Sequence, residues 1–577
     1  MIRFTLPLWA WLGLLPLIAH AGVTVGSPDN PGALPAQIYE AYQKGARDIT
    51  IQPGAYALST MNTGDTILLK DWNDAVVHAP NVTLIFQDER WEHRPLHLLR
   101  CRNVKWEGGI LSFPTPSFTQ GRIMASHLED DGAISYDWKI DAGYSRNPVI
   151  FPDLSKGTFN TIDPSTRRMK VATGDWRPIR YEKLQDDLFR LYDVKGAKPG
   201  FAVGDWLVTR SAGGGSLAQL DQCDHCTLDD VTFHNGGFAT MFDTEGKGGN
   251  HYLNCTIEPG PRPPDATVDE MVSCGADGLH SDGTMQGPDI EDCKFFGNFL
   301  DDCIAIHGMF SQVLRVQGRT VLLANAKGRP EVGEPLRITN PAGVFIQAVV
   351  QKISYPNNQV EVVLDRDVSI PQAQIETSDP AAGTKASNPA RSGQGYIVKR
   401  CTLGNTRGRG ILAKADNGLI QDCTIENSAM SGVSLGPEFS WDEANYCWNI
   451  QVIHNVLRYC ARDNGDEGSV FVHGDGAIGN RNIKIQDNFF DRCYGKYIIR
   501  AEFTDQLEIV DNKIDRPFSL ALPQPGNILW LHDVRNPQLG GNQVTRPGMD
   551  FGSLVDSDEK GDFSALLSGI SVGSSHP

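Results

Sequence analysis

The chain is short of basic residues. Its 577 residues include 52 Lys and Arg against 70 Asp and Glu, which gives a formal net charge of -18. Nucleic acids and anionic membrane surfaces are bound through clustered positive charge, so this balance argues against both as partners. It also disfavours a strongly anionic polysaccharide as a ligand, unless a local basic patch overrides the global charge.

The chain is also poor in long apolar runs, and the one clear example lies at the N-terminus. There Arg3 precedes an apolar run that ends before an Ala-His-Ala sequence. This is the layout of a secretory signal peptide, with cleavage expected before Gly22. No second run is long enough to span a membrane. We therefore expect residues 1–21 to be a signal peptide and the mature protein to be secreted, to the periplasm or the extracellular space.

No helical period extends far along the chain, whereas a short β-type unit recurs. The unit is a few alternating apolar residues, then Asp, Asn or Arg, then Cys or Asn, then any residue, then Leu, Ile or Phe. Copies lie at 253–257, 290–295, 398–403, 420–425, 454–457, 487–490 and 511–514, with earlier coils at Asn81 and Asn103. Short strands joined by Gly, Asn or Asp turns are typical of a parallel β-helix. We predict an all-β fold, a right-handed parallel β-helix.

The cysteines show no complete metal-binding pattern. Cys223 and Cys226 form a CxxC, but no second CxxC or spaced His pair accompanies it, so we predict no metal site there. Twelve cysteines in an exported protein would allow disulfides. Four of them share one position of the repeat, which favours a ladder of small buried thiols instead. These four are Cys255, Cys293, Cys401 and Cys423.

Two stretches lose the coil pattern and share a Val-Gly-Asp/Glu motif, at 203–209 and 332–339. We interpret them as two related antiparallel β modules inserted in loops of the helix. A short amphipathic helix at 34–45 is expected to cover the open end of the first coil. The predicted division is a signal peptide (1–21), cap and first coils (22–127), a first module (128–212), central coils (213–308), a second module (309–394), C-terminal coils (395–550) and a flexible tail (551–577).

The candidate catalytic residues are three aspartates. Asp277 lies about one repeat upstream of the pair Asp301 and Asp302. Neighbouring coils of a parallel β-helix stack about 4.8 Å apart, so the three carboxylates should converge. Like charges held that close cannot all be ionised, so one should keep a proton near neutral pH and be able to donate it. This is the equipment for cleaving a glycosidic bond.

Hydrolysis with inversion uses an acid and a base whose carboxyl groups lie about 6.5–9.5 Å apart, with a water between them. We predict Asp302 as the acid and Asp277 and Asp301 as base candidates. Adjacent coils are compatible with this separation and with the shorter retaining one. Successive residues of a strand point to opposite faces, so Asp301 and Asp302 can both serve the site only if the chain turns or bulges there.

Five further residues are predicted to contact the substrate, and neither a cofactor nor a metal is required. His280 and His307 could bind sugar hydroxyls or hold an aspartate, and a role as turn histidines is equally compatible. Lys414 follows a strand of the repeat, although a solvated position would explain it too. Glu438 and Trp441 could form a wall on which a sugar stacks, or a packing cluster in a loop.

The run from Cys226 through Asp277-Gly278-Leu279-His280 to Ile306-His307-Gly308, with a later Arg-Gly-Ile-Leu segment at 409–412, resembles the α-1,3-galactosidase family, glycoside hydrolase family 110. The resemblance implies a β-helix with inserted β modules. It also implies an inverting exo-enzyme that removes terminal α-galactose from an oligo- or polysaccharide. By the same resemblance, the catalytic candidates are Asp277, Asp301 and Asp302.

Three alternatives remain open from the sequence. The segment 301–306 also resembles the aspartate-pair motif of polygalacturonases, in which Lys414 would bind a substrate carboxylate. A non-catalytic adhesin or glycan-binding stalk would use the acidic cluster as a calcium site. A polysaccharide lyase or epimerase would need Arg, Lys or Ca²⁺ to stabilise the developing charge, and the sequence around the three aspartates is poor in Arg and Lys.

Overall fold

A computed structural model describes residues 22–59, 64–87, 93–144, 154, 157–170, 173–195, 200–210, 215–375, 382–463, 466–515, 528–545, 555–557 and 570–572. The predicted signal peptide and most of the predicted tail lie outside these residues. Among the described residues, no helix is both long enough and apolar enough to cross a membrane.

The predicted fold class is confirmed: the chain forms a parallel β-helix in which each strand pairs with its equivalents one coil before and one coil after. Three ladders of strands run along it. The first two merge into one 25-stranded sheet because the 14-residue strand Tyr497–Val510 pairs in both. The third ladder is a separate sheet of 15 strands.

The first ladder carries the candidate site. Besides Tyr497–Val510 it contains Asp65–Lys70, Arg94–Leu99, Ala218–Asp221, Ala239–Thr244, Asp277–Asp282, Ile304–Met309, Ile411–Ala413, Val433–Leu435, Gly468–Val472, Leu529–Arg535 and Val555–Ser557, with Glu443–Ala444 pairing antiparallel to Ile304–Met309. The second ladder contains Val23–Val25, Asp48–Ile51, Asn73–His78, Arg102–Glu107, Thr227–Asp229, His251–Leu253, Asp289–Glu291, Ile397–Lys399, Leu419–Gln421, Trp448–Ile453, Asn480–Gln486 and Gln538–Gly540. The third contains Gly54–Leu58, Val82–Phe86, Ile110–Ser112, Thr232–His234, Thr256–Glu258, Val272–Cys274, Lys294–Phe295, Asn298–Phe299, Thr402–Thr406, Thr424–Ser428, Val456–Arg458, Phe489–Asp491, Lys513–Asp515, Asn542–Thr545 and Ile570–Val572.

The sequence repeat marks the corner between the second and third ladders. Its Asp, Asn or Arg adopts a left-handed backbone, as at Asp292 (φ 57°) and Asp422 (φ 55°), a conformation that Asp and Asn tolerate better than most residues. The next side chain points inward, and the column of cysteines continues as asparagines from Asn455 onward. There the Cys423 amide donates to Oδ1 of Asn455 at 2.9 Å. All twelve cysteines are buried thiols, which agrees with the predicted thiol ladder.

The two earliest predicted coil positions, Asn81 and Asn103, lie 22 residues apart in the sequence. They are not equivalent positions of successive coils, which corrects the expected repeat. Asn81 precedes a strand of the third ladder, whereas Asn103 lies within a strand of the second. The side chain of Asn103 donates to Asp74 at 2.8 Å, 29 residues earlier. One coil at this end is therefore 29 residues long, and the shared Asn-Val pattern reflects two corners with similar turns.

A helix covers the N-terminal end of the solenoid, as expected for an exposed core. It spans Leu34–Gln43 and buries Leu34, Ile38 and Ala41. At its C-terminal end the ring of Tyr42 stacks on Trp72, with centroids 3.9 Å apart. The other helical segments are short: Pro31–Ala33, Pro356–Asn358, Gln372–Ile375, Pro389–Arg391 and Phe439–Trp441.

Two antiparallel modules interrupt the coils. The first is a six-stranded open sheet that begins at Phe118 rather than at 128, because the strand Phe118–Leu128 pairs with the returning strand Trp206–Arg210. The second is a closed six-stranded barrel. Each shared motif enters a strand through a glycine with left-handed backbone, Gly204 and Gly333, but an open sheet and a closed barrel do not share one topology.

The strands of the modules are as follows. The first module contains Phe118–Leu128, Ile134–Ile140, Phe159–Ile162, Arg180–Gln185, Leu188–Tyr192 and Trp206–Arg210. The second contains Ser311–Gln317, Thr320–Leu323, Pro335–Thr339, Phe345–Ser354, Val360–Leu364 and Lys385–Ser387.

Candidate active site

The structure brings the three predicted aspartates together. Asp277 is the first residue of the strand Asp277–Asp282, and Asp301 and Asp302 lie one coil later, just before the strand Ile304–Met309. One carboxylate oxygen from each residue lies within 4.8 Å of the other two. Because Asp301 and Asp302 are outside regular strands, their side chains are not forced to opposite faces. The turn that the sequence required is present.

Close packing of adjacent coils holds the aspartates in place. The amide of Asp302 donates to Oδ1 of Asp277 at 2.9 Å, and the amide of Gly278 donates to the carbonyl oxygen of Asp302 at 3.0 Å. A Cβ atom on Gly278 would lie 2.5 Å from the carbonyl oxygen of Cys303, and one on Gly408 would lie 2.1 Å from Oδ1 of Asp302. Glycine at these two positions is what allows the coils to approach.

Asp302 is the carboxyl group predicted to keep a proton. Its side chain is buried, and this desolvation raises its pKa well above the ordinary value. The nearby guanidinium of Arg409 lowers the pKa, while the charges of Asp301 and Asp277 raise it further. Oδ1 accepts a hydrogen bond from the Arg409 amide at 2.5 Å. Oδ2 lies 3.7 Å from Nη1 of Arg409, and we predict that this oxygen carries the proton.

Asp301 has a more polar environment than its neighbour. Nη1 of Arg407 donates to its Oδ1 at 2.8 Å, and Nη1 of Arg210 lies 3.4 Å from its Oδ2. Burial and the charge of Asp277 raise the pKa of Asp301, and the three arginines oppose them. Arg210 belongs to the first module, and Arg407 also pairs with Asp175 of that module at 2.7 Å. The inserted module thus supplies charge to the site.

The two predicted histidines form a chain of hydrogen bonds that ends on Asp277. Nδ1 of His280 lies 2.7 Å from Oδ2 of Asp277, and its Nε2 lies 3.0 Å from Nε2 of His307. Nδ1 of His307 lies 2.9 Å from the carbonyl oxygen of Gly308. A carbonyl can only accept, so Nδ1 of His307 carries hydrogen and its Nε2 accepts from His280. The remaining proton is then shared between His280 and Asp277.

The pKa shifts agree with this assignment of hydrogens. Burial alone would lower the pKa of His280, but the hydrogen bond and charge of Asp277 outweigh it and raise the pKa overall. Burial lowers the pKa of His307, which has no carboxylate as its hydrogen-bond partner. His280 is therefore the more readily protonated of the two histidines, and its hydrogen bond orients Asp277. Contact of either ring with a sugar stays a prediction.

Lys414 is not available to a substrate, which corrects the role expected for it. Its side chain is fully buried and its Nζ donates to Glu438 at 2.6 Å and also to Glu443. Arg409 bonds the other oxygen of Glu438. Although burial raises the pKa values of both glutamates, the charge of Lys414 holds them below the ordinary value. Lys414 and Glu438 belong to a buried charge network beside the aspartates.

Trp441 stands on the turn that leads from this network back to the site. The turn Phe439–Trp441 links Glu438 to Glu443, and the indole is 71% exposed. Lys385 of the barrel braces the turn, with its Nζ 2.6 Å from Asp442. The predicted contact of Trp441 with a sugar is untested.

Sequence reasoning missed the cations around the aspartates and the second glutamate of the network. Arg407 and Arg409 flank Gly408, the glycine that contacts Asp302, and Arg409 is the first residue of the Arg-Gly-Ile-Leu segment at 409–412, which was the available signal. Arg210 and Glu443 carry no repeat signature because they reach the site from an inserted module and a returning loop. The sequence next to the three aspartates is poor in Arg, as expected. The folded site is not, because arginines from distant segments lie beside Asp301 and Asp302.

The same carboxylates are the residues that would hold a cation. Ca²⁺ takes six to eight oxygen ligands, and the cluster offers three side chains. The guanidinium groups of Arg210, Arg407 and Arg409 lie beside Asp301 and Asp302 and already balance their charge. This donor set suits proton transfer better than calcium binding.

No family model matches the sequence, and neither does any curated protein. Structures similar to this chain include a family 28 exopolygalacturonase from Yersinia enterocolitica, at 10% identity and a TM-score of 0.41 over 96% of this chain and 76% of that one. Another is the A-module of the mannuronan C-5 epimerase AlgE6 from Azotobacter vinelandii, at 11% identity and a TM-score of 0.36 over 92% and 95%. A third is the tailspike protein of E. coli bacteriophage HK620 in complex with a pentasaccharide, at 9% identity and a TM-score of 0.39 over 91% and 62%. These three proteins act on or bind carbohydrates, and none of them is an α-1,3-galactosidase.

Proposed function

We propose that the protein is a glycoside hydrolase in which Asp302 is the general acid and Asp277 and Asp301 activate water. The observation that carries the proposal is the convergence of three carboxyl groups, with one oxygen of each within 4.8 Å of the other two, at a place where burial raises the pKa of Asp302. Two carboxyl groups whose environments separate their pKa values are the usual acid and base of glycoside hydrolysis.

The spacing lies at the shorter of the two separations that the sequence left open. The nearest oxygens are closer than the gap of about 6.5–9.5 Å typical of inverting pairs. Three carboxylates offer another arrangement. Two oxygens at most 4.8 Å apart can both accept from one water, because each hydrogen bond spans about 2.8 Å. Asp277 and Asp301 would hold this water while Asp302 protonates the leaving oxygen, and we retain inversion on that basis.

We favour a neutral sugar over a uronate as the substrate. Among the described residues of the site, the positive side chains already have carboxylate partners: Arg210 and Arg407 face Asp301, and Arg409 and Lys414 face Glu438. Binding a substrate carboxylate would require at least one of them to leave its partner. A terminal α-galactoside, which carries no charge, avoids that cost and fits the resemblance of the aspartate motifs.

The walls of the site favour an exo mode of action. The first module contacts the Asp301 side through Arg210 and Asp175, and the braced turn at 438–443 stands on the side of His307. A site bounded on two sides accepts the end of a chain more readily than its middle. Its substrate class would be an oligo- or polysaccharide with a terminal α-galactose.

A second candidate is a polysaccharide lyase, and the observation that favours it is the cluster of Arg210, Arg407 and Arg409. Arginines can stabilise the charge that develops when a proton is removed next to a uronic carboxylate. Against it, each guanidinium is already paired to a carboxylate of the protein. A lyase product contains a carbon–carbon double bond and absorbs ultraviolet light, whereas a hydrolase product does not.

One set of incubations separates the candidates. The purified protein is given an aryl α-galactoside, natural oligosaccharides ending in α-galactose, polygalacturonate and alginate, each with and without a chelator. Release of galactose that resists the chelator supports the proposal, with Asp302→Asn as the inactive control. Reducing ends from polygalacturonate would favour the pectin hydrolase, and ultraviolet absorbance would favour the lyase. Chelator-sensitive glycan binding without cleavage would identify a calcium-dependent binding protein.

A further inference from the structure

Phe238 is an exposed aromatic side chain beside Asp277 and His280. It directly precedes the strand Ala239–Thr244, in which Ala239 is the register partner of Asp277 one coil later. The carbonyl oxygen of Phe238 accepts the amide of Asp277 at 3.1 Å. Its ring centroid lies 6.0 Å from that of His280, the residue hydrogen-bonded to Asp277. The ring therefore stands next to the catalytic candidates, on the outer face of the first ladder.

The backbone fixes Phe238 in this place. A Cβ atom on Gly236 would lie 2.3 Å from Oγ1 of Thr240, and one on Gly275 would lie 2.5 Å from the carbonyl oxygen of Gly237. Gly236 leaves room for Thr240 of its own coil, and Gly275 lets the coil of Asp277 press against the coil of Phe238. The position of the ring relative to the carboxylates is thus set by main-chain packing.

Packing against the protein does not account for the ring, since 51% of Phe238 is exposed. Its aromatic contacts are the edge-on ring of Phe242 at 6.0 Å and the tilted ring of His280. A single exposed phenylalanine is ordinary on a protein surface. At the mouth of a site built for sugars, it offers an apolar surface of the size that a pyranose ring covers.

We propose that Phe238 is the platform on which the terminal sugar stacks, a role that rests on the proposed glycoside hydrolase function. In galactose the axial 4-hydroxyl occupies one face of the ring, and the opposite face presents carbon-bound hydrogens at C3, C4 and C5. That apolar face would cover Phe238, and the stacked ring would be held with its anomeric carbon toward Asp302. A substrate with the 4-hydroxyl equatorial lacks this continuous apolar face, so Phe238 would also select for the galacto configuration.

The test compares Phe238→Ala, Phe238→Leu and Phe238→Trp with wild type on an α-galactoside and on the matching α-glucoside. Phe296→Ala is the matched control, because Phe296 is 43% exposed and follows a strand of the third ladder, which is not the ladder that carries the site. For Phe238→Ala we expect KM for the galactoside to rise about tenfold while kcat changes by less than about threefold. Phe238→Trp should keep the wild-type KM, and the KM of Phe238→Leu should lie between those of wild type and Phe238→Ala. Phe296→Ala should leave both KM and kcat unchanged.

Direct titration of galactose onto the Asp302→Asn protein, with and without Phe238→Ala, separates this inference from the proposed function. Unchanged KM and unchanged galactose affinity in Phe238→Ala would overturn the platform even if the enzyme is a galactosidase. Absence of glycosidase activity in wild type would overturn the proposed function. In that case galactose binding that is lost in Phe238→Ala would still support a sugar platform at Phe238. Absence of such binding would contradict the platform.

Discussion

The backbone amide of Asp302 donates a hydrogen bond to Oδ1 of Asp277, 2.9 Å away, so the candidate acid is tied to its neighbour on the preceding coil. The other oxygen of Asp277 is bound by His280. Asp277 therefore has a fixed orientation before any substrate arrives. Burial, together with the charge of Asp277, raises the pKa of Asp302.

The first prediction concerns Asp302→Asn. The amide keeps the shape of the side chain but cannot donate an acidic proton, so we expect kcat to fall by about 10²–10⁴ on an unactivated galactoside. The loss should be much smaller with an aryl leaving group that needs little protonation. Initial rates on the two substrates check this, with circular dichroism and thermal melting as evidence of an intact fold. Activity within severalfold of wild type on the unactivated substrate would remove Asp302 from the acid role.

The second prediction concerns the alkaline limb of the pH profile. Arg409 lowers the pKa of Asp302, although burial keeps that pKa above its ordinary value overall. Activity should be lost as pH rises through the pKa of the acid, because Asp302 then loses its proton. In Arg409→Met the limb should move to higher pH, since a cation that favours ionisation is gone. The measurement is the pH profile of kcat/KM for Arg409→Met. The control is Arg168→Met, because Arg168 pairs with Glu426 instead of a candidate catalytic aspartate. A limb that does not move would assign it to another group.

The third prediction concerns Lys414→Met. Removing this ammonium leaves Glu438 and Glu443 without their shared buried partner, and breaking a buried ion pair typically costs about 3–5 kcal/mol. We expect a clear fall in melting temperature. Lys44→Met is the matched control, because its ion pair with Glu40 is exposed and such pairs contribute about 0–1 kcal/mol. A variant of unchanged melting temperature and raised KM would instead restore Lys414 as a substrate contact.

The fourth prediction concerns a buried carboxyl away from the site. Burial raises the pKa of Asp243 to about 7, and its Oδ1 accepts from Asn250 at 3.0 Å. A group whose pKa is raised on folding binds its proton more tightly in the native state, so its contribution to stability is lost as pH rises from about 4 to 7.

Asp243→Asn should abolish that part of the pH dependence, because the amide does not titrate. A pKa rise of about three units corresponds to roughly 4 kcal/mol, so the variant should melt at a clearly higher temperature than wild type at pH 8 and at a similar temperature near pH 4. Asp265→Asn, at an exposed position, controls for the loss of a charge. If the difference in melting temperature between wild type and Asp243→Asn is the same at pH 4 and at pH 8, the raised pKa of Asp243 is contradicted.

The parts of the structure that follow the coil repeat could be predicted from the sequence. The corner residues with left-handed backbone and the inward Cys or Asn recur at nearly every coil, so strand order and the convergence of Asp277 with Asp301 and Asp302 follow from one spacing. The earliest coils were misaligned at Asn81 and Asn103, because two different corners use the same Asn-Val turn. A local pattern identifies a turn without saying which corner of the coil it occupies.

The parts of the site that depend on docking between distant elements could not be predicted. Arg210 reaches Asp301 from the last strand of the first module, and Glu443 pairs with Met309 across an entire inserted barrel. The burial of Lys414 follows from the same return of the chain. These contacts depend on how modules pack against the solenoid, and nothing in the coil repeat encodes that packing.

The last prediction concerns the stereochemistry of the product. If one water lies between Asp277 and Asp301 while Asp302 protonates the leaving oxygen, the water attacks the anomeric carbon from the side opposite the leaving group. The first sugar released from an α-galactoside should then be β-galactose. Proton NMR in the first minutes of hydrolysis, before mutarotation mixes the anomers, measures this directly.

Initial α-galactose would mean that one of the two carboxylates attacks the sugar to form a covalent intermediate. In that case Arg407→Met would be the informative variant, since loss of the cation that binds Asp301 should alter the rate of a step in which Asp301 is the nucleophile.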